Sequence, residues 1–113
     1  MSEANTKQTI TVIFVEQAVL FELGEIYLTQ GAKQVLQDFN VLPATLIARH
    51  VTGDWSNMDE EDKRANKNAV KHGDRVLSSY RLHKENDYDD MVKIWVITEW
   101  DRSATTILLP SEY

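Results

Sequence analysis

No cysteine occurs in the chain of 113 residues. Disulfides, thiolate nucleophiles and cysteine-ligated zinc or iron–sulfur sites are thereby excluded, and the fold must rest on packing and hydrogen bonds. Proline is scarce, at Pro43 and Pro110 only, and with four glycines there is no Pro/Gly-rich linker, low-complexity tract or repeat to divide the sequence. Long apolar runs are missing as well. The stretch over residues 10–28 is broken by Glu16, Glu22 and Glu25, and the polar start MSEAN lacks the basic region of a signal peptide. A cytoplasmic protein without a membrane partner is the expectation. Cations are in the minority, twelve Lys and Arg against eighteen Asp and Glu, and the net charge of -6 argues against indiscriminate binding of nucleic acid over the whole surface. What is present has the proportions of a folded domain, 42% hydrophobic and 27% charged, at a length that suits one core.

Residues 9–15 (TITVIFV) are β-branched and apolar and predict a strand; residues 25–29 (EIYLT) predict a second, shorter one, and together they make an N-terminal ribbon. Residues 1–20 form an extension that contains the first of these strands. If its apolar edge is unpaired, it joins a second copy and gives a homodimer by sheet extension. Over residues 30–39, Ala32, Val35, Leu36 and Phe39 recur at helical spacing, with Thr29 as N-cap and Asn40 as a stop. Pro43 suits the first turn of a second helix that buries Leu46 and Ile47 and ends before Gly53. The run DEEDKRANKNAVKHG from Asp59 has acids in its first turn, bases in its last and Gly73 beyond, as the helix macrodipole favours, and its thin apolar stripe of Ala65, Ala69 and Val70 places it at the surface.

After Gly73 the period changes to two. Residues 75–82, 91–99 and 105–109 read as three strands, joined by the polar loop around Glu85-Asn86-Asp87 and the turn Asp101-Arg102-Ser103. Such short connections predict an antiparallel meander. The expected fold is α+β, a single domain over residues 1–113 with an N-terminal β ribbon, three helices and a C-terminal three-stranded antiparallel meander. The expected core is Leu36, Phe39, Leu46, Ile47, Leu77, Ile94, Val96 and Ile107. Because Val92, Ile94 and Val96 share one face while Lys93, Trp95 and Ile97 share the other, residues 91–99 form the central strand, with helices on one side.

Four stretches, LIARHVTGDW, EEDKRAN, GDRVLSSY and KIWVITEWDRSATTILLPSEY, resemble a widespread group of small bacterial proteins found on plasmids and integrated elements. Its members are labelled plasmid-related or type I restriction endonuclease subunit M. The resemblance covers residues 21–113 and is most specific in KIWVITE and DRSATTILLP. It implies an accessory protein of mobile genetic elements, one that interferes with host defence. It does not imply methyl transfer, which needs a Rossmann-like cofactor domain with a glycine-rich loop and a target-base motif. This sequence departs from the group's pattern at Ser56, at Trp100, in the longer acidic hairpin ENDYDD and in the segment before Phe21.

Two constellations carry the residue types of catalysis. Arg49, His50, Asp54 and Trp55 combine a titratable base, a cation and an orienting carboxylate at the end of the second helix. The plainer reading makes Arg49 and Asp54 a surface ion pair, His50 a helix cap and Trp55 a core plug. On the strands, Arg75, Ser79, Arg81, Thr98, Glu99, Arg102, Thr105 and Thr106 supply cations and hydroxyls, by fold-level analogy the equipment of a barnase–RelE-like, metal-independent ribonuclease with His50, Arg49 and Arg102 as catalytic groups. The plainer reading is the solvated face of a half-covered sheet.

Charge is segregated along the chain. Residues 63–84 hold seven Lys and Arg against Asp74 alone, so this segment carries +6 and the remainder -12. Lys63, Lys67 and Lys71 recur along one side of the third helix and Arg75 and Arg81 follow, a face on which nucleic acid can track, or an ordinary solvated one. Trp55, Trp100, Asp101 and Arg102 are the expected contacts for a protein partner, since Trp and Arg dominate interface energetics. Neither acidic run has the spacing and glycine of a calcium loop, and His50, His72 and His83 lack metal-ligand spacing, so neither metal nor cofactor is expected.

Overall fold

Five strands form one mixed sheet in a computed structural model that describes residues 6–8 and 18–113. They are β1 (Thr6–Gln8), β2 (Glu25–Leu28), β3 (Val76–Lys84), β4 (Asp87–Thr98) and β5 (Ala104–Leu108), in the order β1-β2-β5-β4-β3. Three helices, α1 (Gln30–Asp38), α2 (Pro43–Val51) and α3 (Glu60–His72), lie between β2 and β3 in sequence, and a short 3-10 turn, Pro110–Glu112, follows β5. The expected single α+β domain is present, and so is the antiparallel meander β3-β4-β5 with β4 in its middle.

The separation of ribbon from meander is corrected. β2 pairs parallel with β5, Ile26 opposite Thr105 and Leu28 opposite Ile107, so both belong to one sheet. Gly24 permits this junction: its φ is +66, and a Cβ there would collide with the backbone of Ser103. The partner of β2 on its other side is β1, with Lys7 opposite Tyr27. The strand predicted over residues 9–15, and the dimer built on it, lie outside the described residues.

Each helix begins and ends on a local signal. The Thr29 hydroxyl accepts from the Ala32 N–H at 3.2 Å to open α1, and Asn40, at φ 56, turns the chain away after it. Pro43 opens α2, and the Asp59 carboxylate caps α3 by accepting from the Asp62 N–H at 2.8 Å. α1 and α2 cover the inner face of the sheet, where Leu36, Leu46 and Ile47 bury against Leu28, Tyr80, Ile94, Val96 and Ile107. Each such side chain contributes about 1.5–3 kcal/mol of hydrophobic stabilisation. Phe39 is half-buried at the margin of this core.

Leu77 is a correction. Val76, Ser78, Tyr80 and Leu82 point inward and Leu77 points outward, because three large apolar side chains outweigh one in fixing the phase of β3. α3 buries only Asn66 and Ala69 and lies along the free edge of β3. There the Asn66 amide donates to the Leu77 carbonyl at 2.7 Å and accepts from the Leu77 N–H at 3.2 Å, and the Asn57 side chain accepts from the Arg81 N–H at 3.1 Å. These side chains occupy backbone groups that would otherwise recruit another strand. At the end of the chain, Glu112 accepts from the Thr29 hydroxyl, the Gly31 N–H and the Leu109 N–H, fastening the last turn to the N-terminus of α1.

Candidate functional site

His50 lies on the buried side of α2 with 0% exposure. Its Nδ1 is 2.6 Å from the Ser78 hydroxyl on β3, and its Nε2 is 2.8 Å from the Thr98 hydroxyl on β4. The direction of every bond follows from the two ends of the chain they belong to. The Thr105 hydroxyl donates to the Leu23 carbonyl at 2.6 Å, so it must accept from Thr98, 2.7 Å away, and Thr98 must in turn accept from Nε2–H of His50. Nδ1 then accepts from Ser78, whose oxygen accepts from the Trp55 indole N–H at 2.8 Å. Burial, reinforced by the nearby charge of Arg102, pushes the imidazole down to about 3. His50 is a neutral Nε2–H imidazole with both nitrogens spent, walled by the Phe21 ring at 5.1 Å.

The other members of the first constellation are equally committed. The Arg49 guanidinium pairs with Asp54 at 2.8 Å, donates to the Ser56 hydroxyl at 3.1 Å and stands 4.3 Å over the Tyr80 ring. Partial burial alone would raise Asp54, but the bonds from Arg49 and Ser56 outweigh it and hold the carboxyl below its ordinary value. Tyr80 donates to the Asp54 carbonyl at 2.9 Å, and burial pushes its phenol up to about 12. Trp55 is buried, so its expected role as a partner contact is corrected. The bulk and indole N–H that suggested an interface serve the core instead.

Arg102 does not join His50 at a cleft. It stands in the left-handed region at φ 59, a conformation costing a non-glycine residue about 1–2 kcal/mol. Its guanidinium holds it there, donating to the carbonyls of Asp74 at 2.6 Å, Glu99 at 3.1 Å and Ala69 at 3.4 Å. The cation thus closes the C-terminus of α3 and pins the β4–β5 turn to it. Asp101 braces the same turn, accepting from the Ser103 N–H and hydroxyl at 3.0 and 2.6 Å. On this clamped turn sits Trp100, 68% exposed.

The second constellation divides between the faces of the sheet. Thr98 and Thr105 are inward and fully buried, whereas Ser79, Arg81 and Thr106 are outward. On the outer face Arg81 stands directly opposite Lys93, and Ser79 opposite Trp95. With α3, Ser79, Lys93 and Trp95 border a cleft of about 350 Å³ lined also by Met58, Asp62, Asn66 and Arg75, and Arg81 lines a smaller neighbouring pocket that shares Ser79, Lys93 and Asp62. None of Lys63, Lys67 and Lys71 lines it, and Lys63 pairs with Glu60 at 3.2 Å. Sequence reasoning missed Lys93 and Trp95 as site residues and Ser78 as a core one. The alternation of Val76, Tyr80 and Leu82 was the signal that places Ser78 inward, and that of Val92, Ile94 and Val96 puts Lys93 and Trp95 on the outer face.

No protein-family model matches the chain, and no curated protein or solved structure matches it.

Proposed function

We propose that the protein is a non-catalytic accessory module that works by binding a protein partner, with the Trp100 turn as the principal contact. This is the mode of action expected of an accessory protein of mobile elements that interferes with host defence. The observation that carries it is an exposed tryptophan held on a turn that three guanidinium bonds and an Asp101 brace make rigid. A turn whose backbone is already held has little ordering entropy left to lose on binding, which suits it to carry an interface anchor. The acidic remainder of the chain favours a basic partner by steering its approach. A ribonuclease of the kind considered from the sequence needs His50 facing a cleft as its base; with that imidazole enclosed and both nitrogens bonded, the reading loses the group it names.

Affinity capture from a bacterial host lysate, quantified for the parent protein and for Trp100→Ala, tests the proposal. A retained partner lost at least tenfold in the variant, at unchanged melting temperature, supports it. A partner held equally by both would contradict it.

A further inference from the structure

Arg81 and Lys93 face each other across β3 and β4 on the outer side of the sheet. Directly opposed like charges destabilise a sheet, yet among the described residues no carboxylate pairs with either of them, or with Arg75. Beside them is the half-buried indole of Trp95, set by an edge-on contact with Tyr113 at 5.7 Å, and Arg75 stands 5.3 Å over that Tyr113 ring. From Arg75 to Arg81 the strand runs about 20 Å. Cations placed along a strand, an aromatic ring between them and an open cleft are the parts of a stacking platform with backbone contacts.

We propose that this outer face binds single-stranded nucleic acid, with a base in the cleft against Trp95 and phosphates on Arg81, Lys93 and Arg75. Asp62 on the opposite wall sets the orientation. Its carboxylate repels phosphate and accepts from the amino group of a base, so the nucleic-acid backbone lies on the strand side. A duplex does not fit, because its bases present no free face to Trp95. The surface is separate from the Trp100 turn, and the two stand or fall independently.

The test is fluorescence anisotropy with a labelled mixed-sequence 12-nucleotide single strand, titrated at two salt concentrations. The expected result is binding that weakens with salt at a logarithmic slope of about -1.4 to -2.1, as two or three phosphate contacts require. Lys93→Glu should lose at least tenfold in affinity while melting about 1–5 °C higher, because the new carboxylate pairs with Arg81. Lys93→Gln should lose affinity with no fall in melting temperature, and Trp100→Ala should bind as the parent does. Absence of binding at low salt, equal binding of a duplex, displacement by inorganic phosphate at equal concentration, or binding lost in Trp100→Ala but kept in Lys93→Glu would each overturn the proposal.

Discussion

Ser78 and Ser79 are neighbours in β3 and face opposite ways. Ser78 is fully buried, accepts from Trp55 and donates to His50, and the chain it starts runs through Thr98 and Thr105 to the carbonyl of Leu23. Ser79 looks outward beside Arg81, Lys93 and Trp95, where the cations lack carboxylate partners among the described residues. Inside, a polar atom without a partner costs the full desolvation of that atom, so the network is complete: among the described residues no buried side-chain nitrogen or oxygen lacks a bond. Outside, water satisfies what the protein does not, and unpaired charge persists at small cost. The difference separates side chains that belong to the fold from those free to meet a partner.

The buried network is most sensitive at the imidazole. His50→Ala should cost about 3–5 kcal/mol in chemical denaturation, since it opens a cavity and strands Ser78 and Thr98. A loss under 1 kcal/mol would mean that the network is not structural. Acid should act through the same group. The unfolded chain takes up a proton below the ordinary histidine value of 6.5, and the folded protein does not until about 3. The stability is therefore complete above pH 6.5 and falls by about 1.4 kcal/mol per pH unit as pH drops below it. Asp54 and Glu112, both held below their ordinary carboxylate values, add losses in the same direction only at lower pH. A stability that is flat between pH 6.5 and 5 would contradict the assignment of the histidine.

At the edge of the sheet, Asn66→Ala should cost about 1–3 kcal/mol and expose the Leu77 backbone to strand pairing, so light scattering should show more concentration-dependent association than in the parent. Smaller still is Glu112→Gln, about 0.5–1 kcal/mol by urea denaturation, because the amide keeps part of the cap and the site is open to solvent. The smallest effect on stability belongs to Trp100→Ala, within about 0.5 kcal/mol, as expected for an exposed side chain whose turn is held by its neighbours.

Much of the fold was legible because its signals are local. Thr29, Pro43, Asp59 and Gly73 mark helix ends by chemistry confined to one turn, and all four stand where that chemistry places them. The parallel pairing of β2 with β5 joins residues some 80 positions apart and leaves no local trace beyond Gly24, whose need for a bare Cα shows only once Ser103 lies against it. The site was legible as a set of residues and not as a set of places. His50, Arg49 and Arg102 have the right chemistry for catalysis, but burial, an ion pair and a helix terminus claim them separately. On the sheet, the phase of β3 decides which side chains face outward, and the adjacent apolar pair Val76 and Leu77 leaves it ambiguous until Tyr80 and Leu82 are weighed with Val76.

His50 is a structural imidazole, neutral and protonated at Nε2, and no proton chemistry passes through it. Nitrogen-15 NMR of the imidazole side chains, followed from pH 7.5 to 4.5, addresses that directly. One histidine should keep a fixed Nε2–H tautomer without titrating over that range, with its Nε2 proton protected from exchange. A His50 signal that titrates near pH 6.5, or that carries its proton on Nδ1, would contradict it.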